Sequence, residues 1–234
     1  MNIELKDVNF GYSGLEILNS LNLSIKKGRV TVILGPSGCG KTTLLNLISG
    51  TLKPDNGTID IPENIKLSYL FQEPRLLPWK SVEDNIKFVL DSLPLSEKTE
   101  RTDHLLSELE LIDFKNYYPS QLSGGMRQRV AIARAFAFPS NTILMDEPFK
   151  GLDLPLKINL FKLFNKVWRE EERTAVFVTH DIQEAIQLGD DIIVLTQKPV
   201  KVKKIYENPL PYKQRELHNP DILALEKELY KLII

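Results

Sequence analysis

Residues 30–43 read V-T-V-I-L-G-P-S-G-C-G-K-T-T. The apolar, β-branched run at 30–34 lacks polar alternation, which predicts a strand buried on both faces of a parallel sheet. T-T-L-L-N-L-I-S, beginning at Thr42, has helical spacing. Between them, residues 35–42 fit G-x-x-x-x-G-K-[ST], a loop that holds phosphate between a strand and a helix. Gly35, Gly38 and Gly40 let the backbone close around an anion, and Pro36, Ser37 and Cys39 complete the loop. Successive N–H groups, running through Thr43 at the helix N-terminus, then face phosphate oxygens. Lys41 can reach the outer phosphates of a nucleotide, and Thr42 can offer its hydroxyl to Mg²⁺. A chance glycine-rich turn would lack this strand–loop–helix context. Cys39 is the only cysteine. Its place near a helix N-terminus and Lys41 favours a thiolate.

Working outward, residues 3–10 alternate as a strand, 11–14 (G-Y-S-G) form a turn, and 15–25 suggest further strand. P-D-N-G at 54–57 reads as a hairpin-type turn. T-I-L-M-D at 142–146, A-V-F-V-T at 175–179 and I-I-V-L at 192–195 are further buried-strand candidates. Residues 81–137 are mainly helical, interrupted at Pro94 and Pro119. Strands separated by helices predict an α/β fold with a mainly parallel sheet. The segment 86–138 reads as an inserted helical subdomain.

The strand at 142–146 ends in Asp146, followed by Glu147. An acid at a strand end can hold Mg²⁺ directly or through water. Its neighbour Glu147 can act as general base on an attacking water. Downstream of an ordinary loop these would be an acidic turn. Downstream of a phosphate loop they are the natural partners of Thr42 and Lys41.

Q-L-S-G-G-M-R-Q-R at 121–129 narrows the class. Ser123, Gly124 and Gly125 cap a helix, and their open N–H groups form a second anion site. The segment resembles the signature of ATP-binding-cassette (ABC) proteins, with Met126 where most members have Gln. That resemblance covers about residues 2–206 and implies a P-loop NTPase (RecA-like) core with an N-terminal antiparallel β subdomain. It places Tyr12 against adenine, Gln72 on Mg²⁺ or the lytic water, Asp153 at a dimer interface and His180 at the γ-phosphate. It also implies ATP hydrolysis by a head-to-tail homodimer, each ATP lying between one phosphate loop and Ser123–Gly125 of the other copy. Residues 207–234 are expected to form an extension with a short helix, its apolar positions at Leu223, Leu225, Leu229 and Leu232. That helix either packs on the chain's own surface or meets a partner.

F-Q-E-P-R-L-L-P-W-K-S-V-E-D-N-I at 71–86 resembles the corresponding stretch in ATPases of nitrate/sulfonate/taurine importers. There, apolar residues meet a permease, so Leu76, Leu77 and Trp79 either dock a partner or belong to the helical subdomain's core. The resemblance implies separate permease chains, an extracytoplasmic solute-binding protein and a place on the cytoplasmic face of the membrane. A soluble ABC ATPase with a regulatory or scaffold role is the alternative. Asp190-Asp191 departs from the usual Asp-Arg and puts one local salt bridge in question.

Composition agrees with these readings. Hydrophobic residues are 42% and charged residues 26% of 234, ordinary for a globular protein. Lys plus Arg is 30 and Asp plus Glu is 31, a balance that argues against a nucleic-acid partner. The N-terminus shows no signal-peptide pattern. No segment approaches the ~18 apolar residues of a membrane span.

Overall fold

The computed structural model describes residues 2–169, 172–215 and 219–233. Met1 of the expected cassette range, residues 216–218 of the expected extension and Ile234 of its helix lie outside them.

β1 (Ile3–Tyr12) and β2 (Leu15–Ile25) form an antiparallel hairpin, reversed at Ser13 and Gly14 with φ of 45° and 87°. β3 (Val30–Leu34) leads through the phosphate loop into α1 (Lys41–Ile48). β4 (Asn56–Asp60) then pairs antiparallel with the other edge of β1, giving the sheet order β2-β1-β4. The predicted hairpin turn at 54–57 is therefore corrected: it joins no neighbouring strands but brings β4 onto β1. The Asp55 N–H donates to the Asn9 carbonyl at 2.9 Å. Gly57 is needed for close approach, since a Cβ there would stand 2.4 Å from the Asp7 carbonyl oxygen.

The second sheet contains β5 (Leu67–Leu70), β6 (Thr142–Asp146), β7 (Thr174–Thr179), β8 (Asp191–Leu195) and β9 (Val202–Glu207). Its order is β5-β6-β7-β3-β8-β9, parallel except for the last strand. The central strands are buried along their whole length, as their apolar runs predict. Their two-residue period divides two cores. Val32, Met145, Phe177 and Val194 face one core, while Ile33, Leu144, Val176 and Ile193 face the other. The second core joins the small antiparallel sheet and α1 to the central sheet. β4 and β9 carry too few apolar residues in sequence to announce themselves, and β5 is only four residues long. Pairing with β1, β6 and β8 makes them strands.

The helical subdomain contains α2 (Val82–Lys87), α3 (Leu95–Glu108) and α4 (Gly124–Ala137). Ser81 caps α2, accepting from the Asp84 N–H at 3.1 Å, at the position from which the sequence pattern predicts helix. After it come α5 (Leu154–Phe164), α6 (Ile182–Leu188) and α7 (Pro220–Ile233). No helix of the described residues is long and apolar enough to cross a membrane.

The tail does not stand apart. Ile222, Leu225 and Leu229 of α7 are buried in the larger core, whereas Leu223 is exposed. Of the predicted apolar positions, Leu225, Leu229 and Leu232 pack on that core and Leu223 does not; Ile222, three residues before Leu225, takes its place on the shared face. The lead-in to α7 is held by Arg215, whose guanidinium is buried beside Asp190 at 2.8 Å and also donates to the Leu210 and Gln187 carbonyls. Asp191 pairs with Arg29 at 2.7 Å and Lys26 at 3.2 Å. The unusual Asp-Asp pair thus makes two sets of ion pairs of its own, one joining β8 to β3's entry and one to the tail. Removing one member of a buried, hydrogen-bonded pair is costly because the other charge stays desolvated. Arg215→Ala should lower unfolding free energy by about 3 kcal/mol, measured by urea denaturation. A loss within experimental error would mean the tail is not held by this pair.

Candidate nucleotide site

β3 aims the phosphate loop at the C-terminal edge of the parallel sheet. The loop closes on Gly40, where φ is 123° and a Cβ would approach Ile17 to 2.7 Å. A residue with a Cβ there would be strained at that φ and would displace the Ile17 side chain. Lys41 folds back over the loop and donates to the Gly35 and Pro36 carbonyls at 2.7 and 2.9 Å. Its charge is thereby held at the loop's mouth. Thr42 donates to Asp146 at 2.7 Å across the gap between α1 and β6.

Lys41, Thr42 and Asp146 line one cleft of about 370 Å³, together with Tyr12, Ser37, Gly38, Gly40, Thr43, Gln72, Glu147, Lys150 and Lys198, whereas the predicted Gly35, Pro36 and Cys39 do not line it. Tyr12 ends β1, half exposed and edge-on to Phe10 at 4.9 Å between ring centroids. The hairpin residues Leu15 and Ile17 also line the cleft, and sequence reasoning missed them along with Lys150 and Lys198. No local pattern marks a lysine or leucine as cleft-facing when a distant segment supplies the rest of the wall.

Asp146 is only 2% exposed. Burial pushes its carboxyl above the ordinary range, and the charge of Glu147 acts the same way, against the Thr42 hydrogen bond. Glu147 sits at φ 45°, a left-handed backbone rare for a side chain without special constraint. Its N–H donates to the Val178 carbonyl at 3.0 Å, tying the end of β6 to the end of β7. Burial alone would raise the Glu147 carboxyl. Hydrogen bonds from Lys150 and His180 outweigh it and hold the group below the usual carboxylate range. Oε1 lies 3.1 Å from His180 Nδ1, and Oε2 lies 2.6 Å from Lys150 Nζ and 3.4 Å from Gln72 Nε2.

The donor set fits Mg²⁺. Thr42 Oγ1 and the Asp146 carboxylate are hard oxygen donors already in contact. Mg²⁺ commonly takes one or two protein oxygens and completes its shell with water and substrate phosphates. The described residues contain no cluster of three or more His, Cys, Asp or Glu suited to an all-protein metal cage.

Other predicted residues lie elsewhere. Ser123 caps α4, accepting from the Met126 N–H at 3.2 Å, and Gly124 and Gly125 have open space around their Cα atoms. Asp153 caps α5, accepting from the Leu156 N–H at 3.0 Å. None of these four lines the cleft. Trp79 is 70% exposed, whereas Leu76 packs against the larger core. Leu77 is partly buried, and Asn85 holds its backbone N–H at 2.8 Å.

Cys39 is a correction. Its thiol turns inward beneath the loop and is only 3% exposed. Burial pushes it up, away from the thiolate that the helix terminus and Lys41 led one to expect.

A phosphate-loop motif, a strand-end acid pair and a helix capped by Ser123 on a two-sheet α/β core define an ATP-hydrolysing cassette. The family model described as "ABC transporter" matches residues 18–150, and the chain belongs to that family. It is 41% identical over 204 residues to an aliphatic sulfonates import ATP-binding protein of Bacillus cereus, covering 85% of this chain and 81% of that one. A taurine import ATP-binding protein of Jannaschia is 38% identical over 203 residues, covering 83% and 76%. Among solved structures, a dimeric ATP-binding cassette in a post-hydrolysis state with ADP and Pi superposes with a TM-score of 0.78. It is 32% identical and covers 89% of this chain and all of that one.

The buried thiol makes a direct test possible. Cys39 should react with iodoacetamide at neutral pH far more slowly in the native protein than in urea. Equal rates would place the thiol outside the loop's underside.

Proposed function

We propose that this chain is the ATPase subunit of an importer for a small anionic or zwitterionic solute of the sulfonate/taurine class, working on separate permease chains. The observation that carries the catalytic part is the meeting of Lys41, Thr42, Asp146, Gln72 and Glu147 at one cleft, with His180 bound to Glu147 at 3.1 Å. The names of the relatives support the solute class.

In this reading, ATP takes the cleft with its adenine on Tyr12. The loop N–H groups of residues 37–43 bind its phosphates, and Lys41 exchanges its carbonyl partners for phosphate oxygens. Thr42 and Asp146 hold Mg²⁺, which neutralises phosphate charge when bound. Glu147 accepts the proton of the attacking water, with Gln72 orienting that water. His180 holds the opposite carboxylate oxygen and lies within reach of the terminal phosphate.

Ser123, Gly124 and Gly125 complete the site of a second copy, and Asp153 lies at that interface. Their location outside the chain's own cleft supports this. Permease docking falls on Trp79, the exposed member of the apolar stretch beside Gln72, with Leu77 at its margin and the partly buried Leu76 tying the stretch to the core. The complex includes an extracytoplasmic solute-binding protein, and the chain works on the membrane's cytoplasmic face.

Glu147→Gln should bind ATP like the wild type and lose ~10²–10⁴-fold in turnover, with an ATP-bound dimer accumulating on size exclusion. Turnover near wild type would remove Glu147 from the role. Trp79→Ala should leave folding and ATP hydrolysis by the isolated chain intact. Truncating an aromatic anchor often costs 2 kcal/mol or more, so the variant should co-purify poorly with its permease in detergent and lose solute uptake. Normal co-purification with full uptake would move the docking surface elsewhere.

A further inference from the structure

Lys150 belongs to none of the roles described above, yet it makes the shortest contact with Glu147. Its ammonium stands 2.6 Å from Oε2, while His180 faces Oε1 at 3.1 Å. The carboxylate is thus gripped from two sides, and its side chain is only 11% exposed.

The contact is built into the backbone. Residues 147–150 form a tight turn in which the Lys150 N–H donates to the Glu147 carbonyl at 3.2 Å. That turn carries the Lys150 side chain back over the carboxylate three residues earlier. Three attachments fix the turn itself. Phe149 is buried and packs edge-on against Phe161 at 4.9 Å. The Pro148 carbonyl accepts from Gln128 of α4 at 3.2 Å. The Glu147 N–H is bound to Val178. Gly151, at φ 74°, releases the chain toward α5 immediately afterwards. Lys150 itself is 54% exposed, so its charge serves no core packing. It also lines the nucleotide cleft.

We propose that Lys150 is a positioning residue for ATP hydrolysis: its ion pair holds the Glu147 carboxylate in the orientation from which it receives the water proton. The proposal rests on Glu147 being the general base. A carboxylate oxygen has two acceptor directions, so Oε2 can keep Lys150 and give the direction that the long Gln72 contact of 3.4 Å now occupies to water. Without Lys150 the carboxylate has His180 as its one close partner and Gln72 at 3.4 Å as a weak second. A half-exposed lysine is a low-cost way to orient the group, since the ion pair forms within one turn.

The test compares wild type, Lys150→Met, Lys150→Arg, Glu147→Gln and the Lys150→Met/Glu147→Gln double variant. Steady-state ATP hydrolysis, binding of a fluorescent non-hydrolysable ATP analogue and thermal unfolding without nucleotide are measured for each. Misplacing a catalytic group by about 1 Å can cost on the order of 100-fold. Lys150→Met should therefore lose roughly 10- to 100-fold in kcat, with KM and analogue affinity at wild-type levels. Lys150→Arg should recover most of the loss. The double variant should be no slower than Glu147→Gln, and Lys150→Met should shift the unfolding temperature only where Glu147 is present. An unchanged or faster kcat in Lys150→Met, while Glu147→Gln is inactive, overturns the proposal. So does a raised KM with kcat retained, which would make Lys150 a phosphate contact, or loss of analogue binding. A fully active Glu147→Gln instead overturns the general-base reading, which separates the two failures.

Discussion

Strand β3 lies between β7 and β8, and β7 carries β6 on its other side. All four run parallel, so their C-terminal ends emerge at one edge of the sheet. The phosphate loop leaves β3 there, Asp146 and Glu147 leave β6, and His180 follows β7. Nothing else in the chain needs to be aligned for these groups to meet. The pairing Val30↔Ala175 through Leu34↔Thr179 sets the first register, and Thr142↔Thr174 through Asp146↔Val178 sets the second. A slip of one residue along either would reverse which side chains face each core. The double-sided burial of these strands is therefore also what keeps the cleft residues in place.

The second dependency is electrostatic. Two adjacent acids, one of them almost fully buried, repel each other at the end of β6. The chain meets this with a hydroxyl on Asp146 and two nitrogen partners on Glu147, whose backbone is left-handed. The same arrangement leaves Asp146 suited to a cation and Glu147 suited to water. Structure and chemistry have one cause here, the cost of burying charge without a partner.

Much of the site was legible in advance because its parts are local. A phosphate loop needs glycines at particular backbone positions, and a strand-end acid pair needs only an apolar run before it. Gly40 shows why such a pattern is rigid: the Ile17 side chain occupies the space a Cβ would need. Cys39 shows the limit. Its neighbours in sequence, Lys41 and a helix terminus, pointed to a thiolate, but the thiol turns inward where burial outweighs both. The hairpin-type signal at 54–57 failed similarly. Gly57 is there for the approach of β4 to β1, which sequence spacing does not reveal.

By itself, the sequence determined the α/β class, the strand–loop–helix phosphate site, the acid pair and the capped helix at Ser123. Each follows from a period or a spacing within a few residues. Only the tertiary structure decided that Lys150 grips Glu147, that Leu15 and Lys198 help wall the cleft, and that Trp79 is exposed while Leu76 is not. It alone decided that Arg215 anchors the tail on Asp190, so that α7 completes the main core. These are contacts between segments far apart in the chain, or choices about which way a side chain turns. Their free energy comes from packing and desolvation, and no local pattern of residues carries that information.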